Sequence, residues 1–359
     1  MAEPVIDINT SVLTPEQAKK LVDVYSKSLF EWRTSQASSV HGNYERLWKT
    51  ISTLFTAGGK RLRPYMTLLT YQAYSHKPVT NILPAAVAQE MLHQAMLMHD
   101  DIIDRDTMRY HVKNISGQYR DIYKDAPDAG HFADSSAMLA GDLLISEAHI
   151  QVALADVSPE ILTKAQDVLN QAVFHVIGGE LLDTEASFSE DSHIDPLTIL
   201  EQKTASYSFV GPLTMGATLA GASDEQIGLL KHFGTSIGIA YQLRDDILGI
   251  FGNQEITGKS TEGDLREKKR TLLIDEFYKR ASDEQRAQFD AIFGSKDATT
   301  EDIQTLRDLL THSGARSAIE AYIESYKQQT IEHMDELAIT DDYRQQFVTL
   351  IEKSLDREN

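Results

Sequence analysis

Two clusters of aspartates, about 145 residues apart, carry the clearest chemical signal in this sequence. The first is Asp100-Asp101-Ile102-Ile103-Asp104, and the second is Asp245-Asp246-Ile247-Leu248-Gly249. Because residues four apart share one face of an α-helix, the carboxylates of Asp100 and Asp104 point the same way and can share a hard cation. Mg²⁺ suits such a cluster, since it takes one or two carboxylates and completes its shell with water and substrate phosphates.

The alternative interpretation of either cluster is an acidic helix end in water. Residues 85–103 are apolar over more than one helical face, so the first cluster ends a buried element, where unpaired charge is costly. Lys259 and Lys269 follow the second cluster and can supply countercharge to a phosphate. Two such helix ends facing each other in a bundle would hold a metal–diphosphate group.

A basic segment, Gly58-Gly59-Lys60-Arg61-Leu62-Arg63-Pro64, places three cations within four residues of a very acidic chain. Arginine binds phosphate through paired hydrogen bonds, so this segment can form an anion pocket that needs no metal. His93 lies seven residues before Asp100, on nearly the same helical face, where it can donate to that second anion. Taken alone, the segment is better explained as a surface turn and His93 as a core histidine.

Lys203 and Thr204 open another apolar helix, and Gln242 lies one turn before the second cluster. The lysine can neutralise the oxygens of a leaving diphosphate, and the threonine hydroxyl can orient toward developing positive charge. The dipeptide is uninformative by itself, so its interpretation depends on the aspartates.

The elements that must position these residues are predicted to be helices. A capping side chain precedes an apolar-periodic run at six places, which is the pattern of a helix start. These starts follow Thr14, Ser158, Asp195, Ser223, Ser282 and Thr340. Strand signals are scarce, because the chain has no Asn-Gly or Asp-Gly hairpin turn. The sequence therefore predicts an all-α fold, in a single domain over residues 1–359.

Some segments are predicted to be central helices and others loops. The stretches that are apolar over more than one face, and so belong at the centre of a bundle, are 85–103, 137–153, 168–182 and 233–250. The predicted loops are 117–135, 188–193 and 252–269. The last loop follows the second cluster, so it is placed to close over what that cluster binds.

Composition excludes several classes of function. The net charge of −20 over 359 residues argues against a nucleic-acid partner, whose phosphates require a basic surface. The chain has no cysteine, which excludes disulfides, thiolate nucleophiles and zinc fingers and fits the cytoplasm. No run reaches the roughly 18 apolar residues of a membrane span. We expect a soluble, cytoplasmic protein without an integral membrane segment.

Together these motifs resemble the trans-isoprenyl diphosphate synthase (polyprenyl synthetase) family, and within it the geranylgeranyl diphosphate synthases. The match runs from about residue 45 to 275 and includes the basic segment, the helix from His93 to Asp104, Ala140-Gly141-Asp142, Lys203-Thr204, Tyr241-Gln242, Asp245-Asp246 and Gly258-Lys259 through Lys269-Arg270-Thr271. The resemblance implies an isoprenoid-synthase-type helical bundle around a deep central cavity, usually as a homodimer. It also implies an enzyme that joins isopentenyl diphosphate head-to-tail to an allylic diphosphate and releases pyrophosphate.

The family's functional residues map onto matching positions of this chain. About three Mg²⁺ ions are expected per site, with Asp100, Asp101, Asp104, Asp245 and Asp246 as their ligands. The allylic diphosphate is expected to contact Lys203, Lys259 and Arg109, with Lys269 also at the substrate site. Isopentenyl diphosphate is expected at Gly59, Lys60, Arg63 and His93, beside Tyr110. Thr204 and Gln242 are expected to face the allylic cation, and they complete a catalytic set with Asp100, Asp104, Lys203, Asp245 and Lys259.

Three positions depart from the family pattern. Gly249 stands where many members have a third aspartate, which removes one supporting carboxylate. Tyr110 replaces an arginine that helps to hold isopentenyl diphosphate. Lys268 replaces the glycine that usually precedes Lys269. None of these changes removes a first-cluster aspartate or Asp245.

Product length depends on the helix ahead of the first cluster. In family members with short products, an aromatic residue four or five positions before Asp100 blocks the cavity beneath the growing chain. Those positions hold Ala95 and Met96 here, and methionine is flexible enough to bend aside. The sequence therefore predicts growth beyond C15, with geranylgeranyl diphosphate (C20) as the product and a C30–C40 product as the rival.

Two other kinds of protein fit part of the pattern. A terpene cyclase uses a similar aspartate motif, but it handles one substrate and needs neither the basic segment nor a second aspartate pair. A non-catalytic subunit of a heteromeric synthase loses one or both aspartate motifs, whereas Asp100, Asp104 and Asp245 are present here.

Overall fold

Helices form almost all of the regular structure in the computed structural model, which describes residues 12–109, 112–188, 193–252 and 261–355. The predicted all-α class is confirmed, because the strands within these ranges are a single pair of two residues each. Contacts divide the chain into two compact units, Met1–Gln171 with Gly211–Ile227 and Ala172–Val210 with Gly228–Asn359. A single domain over residues 1–359 stays a prediction.

The first unit contains the basic segment and the first aspartate cluster. Its elements are α1 (Pro15–Val40), α2 (Gly42–Thr56), α3 (Leu62–Ser75), a 3₁₀ turn (Val79–Ile82), α4 (Leu83–Ile103), β1 (Met108–Arg109), β2 (Val112–Lys113), α5 (Ile115–Ile122), α6 (Ala129–Ala153), the first part of α7 (Pro159–Phe188), α9 (Gly211–Ala220) and the start of α10 (Asp224–Phe251).

The second unit contains the second aspartate cluster and the Lys203-Thr204 pair. Its elements are the second part of α7, α8 (Pro196–Ile199), a π-helix (Leu200–Val210), most of α10, α11 (Gly263–Arg266), α12 (Leu272–Arg280), α13 (Asp283–Asp290), α14 (Thr300–His312), α15 (Ala315–Asp335) and α16 (Asp341–Leu355).

The predicted helix starts are confirmed, and two of them form complete capping boxes. Thr14 accepts from the amide of Gln17, whose side chain in turn accepts from the amide of Thr14, and Ser282 pairs with Gln285 in the same way. Helices also begin directly after Ser158, Asp195, Ser223 and Thr340. Caps of this kind satisfy amides that the first turn of a helix leaves without an intrahelical partner.

α4 lies at the centre of the first unit, where it packs most extensively against α6 and also against α3. Its residues from Ala85 to Leu92 are buried on every face, as the apolar sequence predicts. Close packing continues between α3 and α9, because a Cβ at Gly216 would lie 2.3 Å from the carbonyl oxygen of Thr67. The helix that ends in the first aspartate cluster is therefore fixed by its core contacts.

α10 performs the same role in the second unit. Ile239, Leu243 and Ile247 recur every four residues and join one hydrophobic cluster with residues of α12, α14 and α15. Burial of this face leaves the neighbouring face, with Gln242 and Asp246, directed to the candidate site.

The prediction of a loop over residues 117–135 is wrong, because α5 and the start of α6 occupy most of it. Asn114 caps α5 by accepting from the amide of Gly117. Gly117 serves close packing and not a turn, since a Cβ there would lie 2.2 Å from the carbonyl oxygen of Thr107. Tyr119 then packs against Phe132 of α6, with ring centroids 6.0 Å apart.

The two other predicted loops are only partly described. Phe188 is the last residue of α7, and residues 189–192 lie outside the described ranges. Residues 253–260, which include the predicted ligand Lys259, also lie outside them. The short helix α11 forms inside the remainder of the 252–269 segment.

One cation of the basic segment, Arg61, is a structural residue. Its side chain is almost fully buried, and its backbone has a left-handed φ of 51° where α3 begins. The guanidinium donates to Asp23 at 2.9 Å, Glu90 at 2.8 Å and the carbonyl oxygen of Phe55 at 2.6 Å. Arg61 thus ties α1, α2 and α4 to the start of α3. Removing either member of such a buried pair leaves an uncompensated charge.

No helix in the described parts of the chain combines the length and the apolar character needed to cross a bilayer.

Candidate functional site

The first aspartate cluster lies at the C-terminal end of α4. Asp100 and Asp101 are in the last turn, and Asp104 is the C-cap residue. The C-terminal end of a helix carries partial negative charge, which adds to the charge of the carboxylates and favours a cation there. The location of the cluster at the end of a buried helix is therefore as the sequence predicts.

Arg109, on β1, contacts two of these aspartates. Its Nε donates to Asp101 Oδ1 at 2.8 Å, and its Nη2 donates to Asp101 Oδ1 at 2.5 Å and Asp100 Oδ2 at 3.2 Å. β1 pairs antiparallel with β2, with Arg109 opposite Val112. The role of Arg109 on the diphosphate stays a prediction, and Tyr110 lies outside the described residues.

Asp101 is the buried member of the cluster. Burial raises its pKa to about 6, although Arg109 and Asn114 act in the opposite direction. The amide of Asp106 donates to the Asp101 carbonyl oxygen at 2.8 Å, and Asn114 Nδ2 donates to the Asp106 carbonyl oxygen at 2.8 Å. These bonds hold the chain that follows the cluster, so Asp101 positions Arg109 and its neighbours.

His99 is a residue of this region that sequence reasoning missed. Its Nε2 lies 3.2 Å from the carbonyl oxygen of Met138 and 3.6 Å from Asp142 Oδ1, both on α6. A Cβ at Gly141 would lie only 2.2 Å from the same Nε2, so the glycine provides the space for the imidazole. The Ala140-Gly141-Asp142 motif was the available signal, because a glycine inside a helix often marks close packing.

The other predicted residues of the first unit lie on α3, α4 and the segment before α3. Gly59 has a φ of 108°, which favours glycine, and Lys60 is exposed. Arg63 and His93 are half-buried. Their binding of isopentenyl diphosphate stays a prediction.

The two predicted chain-length residues differ in exposure. Ala95 is fully buried, whereas Met96 is half-buried. A side chain added at Ala95 must therefore displace neighbouring atoms. The effect of either residue on product length stays a prediction.

The second unit contains a pocket that is partly open to solvent. It is lined by Asp183, Pro196, Ile199, Leu200, Lys203, Thr204, Gln242, Asp246, Lys269, Arg270, Thr271 and Leu272. Five predicted site residues thus share one pocket: Lys203, Thr204, Gln242, Asp246 and Lys269.

Lys203 is held by two carboxylates of α7. Its Nζ lies 2.9 Å from Glu180 Oε2 and 2.6 Å from Asp183 Oδ2. Glu180 and Asp183 are three residues apart and so share one helical face. Sequence reasoning missed both acids, and the only signal was an acidic pair at helical spacing within the apolar stretch 168–182 and just after it.

A chain of hydrogen bonds joins the π-helix to α10. Thr204 Oγ1 donates to Gln242 Oε1 at 2.9 Å, and Gln242 Nε2 donates to Asp246 Oδ1 at 2.9 Å. The amide of Gln242 is thus oriented by an acceptor on one side and a donor on the other. Thr204 and the second aspartate cluster are linked through a single side chain.

Charge is concentrated around Asp246 and Lys269. Burial raises the pKa of Asp246 to about 7, while Lys269 and the hydrogen bond from Gln242 act to lower it. Burial acts to lower the pKa of Lys269, but the surrounding carboxylates, led by Asp264 and Asp183, raise it above its ordinary value. Asp245 is half-buried.

Two of the three departures have a structural explanation. A Cβ at Gly249 would lie 3.0 Å from Asp264 Oδ2, so a carboxylate from α11 approaches the place where the family pattern has a third aspartate. Lys268 has a left-handed φ of 58°, which is the conformation that glycine adopts without strain. The expected glycine therefore matches the backbone that Lys268 adopts.

The donor set fits a hard divalent cation. Within residues 12–109, 112–188, 193–252 and 261–355, no three His, Asp or Glu side chains converge closely enough to form a metal site by themselves. Mg²⁺ does not need such a cage, because it uses one or two carboxylates and takes its other ligands from water and phosphate. Asp100, Asp104 and Asp245 offer oxygen ligands of that kind.

Comparison with known proteins gives consistent results. A family model for polyprenyl synthetase matches residues 44–310. A geranylgeranyl diphosphate synthase from Methanosarcina mazei is 32% identical over 297 residues, covering 82% of this chain and 84% of the relative. A geranylfarnesyl diphosphate synthase from Aeropyrum pernix is 30% identical over 303 residues, covering 83% of this chain and 90% of the relative.

A solved structure is similar along almost the whole chain. It is a geranylgeranyl pyrophosphate synthase from Corynebacterium glutamicum, complexed with isoprenyl diphosphate and magnesium. The TM-score is 0.89 at 30% identity, and the likeness covers 96% of this chain and 100% of the other. The helical fold expected from the resemblance is confirmed by this likeness.

The raised pKa of Asp246 predicts a pH-dependent cost to stability. The pKa rises from 3.8 to about 7 on folding, so the metal-free protein loses stability as pH increases between these values. Asp246→Asn removes the buried charge and should raise Tm at pH 8 by about 2–4 °C for each kcal/mol of this cost that it removes, with a smaller rise at pH 5, where Asp246 is protonated in the folded protein and ionises only on unfolding. Thermal unfolding of chelator-treated protein measures this difference.

The matched control is Asp125→Asn, at an exposed carboxylate between α5 and α6. Its Tm should follow the wild type at both pH values. An Asp246→Asn protein with the same Tm difference at pH 5 and pH 8 would contradict the assignment.

Proposed function

The chain belongs to the polyprenyl synthetase family and is a trans-prenyltransferase, and on that premise we propose that it condenses isopentenyl diphosphate head-to-tail with an allylic diphosphate. The proposed products are geranylgeranyl diphosphate (C20) and pyrophosphate. The observation that carries the proposal is the pocket in which Lys203, Thr204, Gln242 and Asp246 meet. The ammonium group of Lys203 can bind a diphosphate, and the hydroxyl oxygen of Thr204 can face a developing carbocation.

Mg²⁺ is the proposed cofactor, at about three ions per site by family resemblance. Asp100, Asp104 and Asp245 would hold it, with Asp101 and Asp246 supporting. The Corynebacterium relative supports this proposal, since its structure contains magnesium and isoprenyl diphosphate. Bound Mg²⁺ would neutralise the leaving diphosphate as a Lewis acid.

The chain's own residues prepare the reaction in three ways. Lys203 neutralises diphosphate oxygens, and its two carboxylate partners hold it at the pocket until the substrate arrives. Thr204 donates its hydroxyl hydrogen to Gln242, so its oxygen lone pairs are available to the allylic cation. Apolar pocket residues such as Leu200 limit the access of water to that cation.

Isopentenyl diphosphate is assigned to Gly59, Lys60, Arg63 and His93. Arg61 is excluded from this set, because its guanidinium is already bonded to Asp23, Glu90 and Phe55. After the new C–C bond forms, the released diphosphate is the proposed acceptor of the final proton. No side-chain base is then required.

A homodimer in the cytoplasm is the proposed assembly and location. Phe174, Ile177, Leu181 and Phe188 form an apolar stripe on α7 that is 72%, 51%, 64% and 93% exposed. Their spacing of three, four and seven residues places them on one face. A large exposed apolar face is typical of a protein–protein contact.

A product longer than C20 is the second candidate, because one similar relative is a geranylfarnesyl diphosphate synthase. The C30–C40 product predicted as the rival is also longer than C20. The absence of an aromatic residue at Ala95 and Met96 is compatible with either length. Chromatography of the dephosphorylated product distinguishes them.

The proposed reaction predicts a specific dependence on the first cluster. Incubation with isopentenyl diphosphate, farnesyl diphosphate and Mg²⁺ should release pyrophosphate, and Asp100→Asn should lower kcat by about 100-fold or more through lost charge stabilisation. Asp125→Asn, an exposed carboxylate, should keep wild-type activity. Failure of the wild-type chain to release pyrophosphate refutes the proposed function, and a fully active Asp100→Asn refutes its metal assignment.

The chain-length proposal predicts the effect of a bulky residue at a buried position. Ala95→Phe should shift the product to C15 or shorter, because the ring fills space beneath the growing chain, and it should destabilise the fold by about 1–3 kcal/mol through overpacking. Ala95→Ser keeps the size and should keep the product. Product distributions from both variants provide the measurement, and an unchanged distribution in Ala95→Phe rules the account out.

A further inference from the structure

The Lys203-Thr204 pair lies on a π-helix of 11 residues, Leu200–Val210. Such helices are rare and mostly limited to a single turn, because their i→i+5 hydrogen bonds are less favourable than those of the α-helix. A segment this long must be held by its neighbours. Those neighbours in the second unit are α7 and α10, and each contacts it through a regular row of residues.

The row on α7 consists of His175, Gly179 and Asp183, four residues apart and so on one face. His175 Nδ1 lies 2.5 Å from Gln202 Oε1, and Asp183 Oδ2 lies 2.6 Å from Lys203 Nζ. Between them, a Cβ at Gly179 would lie 2.2 Å from the backbone nitrogen of Lys203 and 2.6 Å from its Cα. The backbone of α7 at Gly179 is therefore in direct contact with the backbone of the π-helix at Lys203.

The row on α10 consists of Gly234, Gly238, Gln242 and Asp246, again four residues apart. A Cβ at Gly238 would lie 2.5 Å from the Cβ of Ala205 and 2.6 Å from its Cα. At Gly234 the closest approach, to Val210, would be 3.0 Å. The row then continues into the hydrogen-bonded chain from Thr204 through Gln242 to Asp246.

We propose that Gly179 and Gly238 are positioning residues for prenyl transfer, which set the depth of the π-helix between α7 and α10 so that Lys203 and Thr204 reach the pocket. The inference rests on the proposed function. A methyl group at either position must displace residues 202–205 by about 1 Å to reach an ordinary contact, and a misplacement of that size can cost about 100-fold in rate. Gly179 contacts the backbone of Lys203, and Gly238 contacts Ala205, the residue that follows Thr204.

Four alanine substitutions, two of them controls, test the proposal. Gly179→Ala should raise the KM for the allylic diphosphate as well as lower kcat, because Lys203 contacts the diphosphate. Gly238→Ala should lower kcat by about 100-fold with a smaller change in KM, because Thr204 faces the cation. The controls are Gly178→Ala and Gly228→Ala, on the same two helices, where an added Cβ meets nothing within 4 Å. They should stay within about twofold of the wild type.

A rescue variant separates positioning from loss of folded protein. Ala205→Gly in the Gly238→Ala background removes the methyl group that lies 2.5 Å from the new Cβ and should restore kcat at least partly. Loss of folded protein alone would leave the KM and the kcat per folded molecule unchanged, so kcat is referred to the folded fraction measured by thermal unfolding. If Gly238→Ala does not fold, Gly234→Ala decides, with an expected kcat loss of about threefold to tenfold for its smaller overlap.

The outcomes separate failure of the proposed function from failure of the positioning role of Gly179 and Gly238. A wild-type chain that releases no pyrophosphate overturns the proposed function and this inference with it. An active wild type whose Gly179→Ala and Gly238→Ala variants match their controls, or an unchanged kcat in Gly234→Ala when the others do not fold, overturns this inference alone.

Discussion

The structure depends on burying carboxylates inside apolar helices, each with a cation beside it. Asp101 is buried with Arg109, Asp246 with Lys269, and Glu90 with Arg61. An ionised carboxylate without such a partner would be too costly to bury. These pairs fix the helix ends on which the candidate site is built.

The negative charge around the second cluster is only partly neutralised, because the acidic side chains there outnumber the basic ones. Lys203 alone has two carboxylate neighbours, Glu180 and Asp183. Surplus negative charge of this kind attracts divalent cations, and the cations in turn attract a diphosphate. The carboxylates that are costly to bury are thus the groups that attract the cations, and through them the diphosphate.

Much of this was accessible from the sequence, because it depends on local rules. Helical spacing located Asp100 and Asp104 on one helix end, and capping residues such as Thr14 and Ser282 located helix starts. The π-helix and the glycines against it were not accessible, since they depend on how close two helices approach. The loop predicted over 117–135 failed for a similar reason: Gly117 serves packing against Thr107, which composition cannot distinguish from a turn.

We propose that the aspartate clusters bind Mg²⁺ together with a diphosphate. Thermal unfolding with inorganic pyrophosphate and Mg²⁺, added separately and together, tests it without depending on turnover. A ligand pair that binds only the folded state at 100 times its Kd stabilises by about 2.7 kcal/mol. We predict that the combined increase in Tm exceeds the sum of the two separate increases. An equal increase with pyrophosphate alone, in the presence of a chelator, would contradict the account.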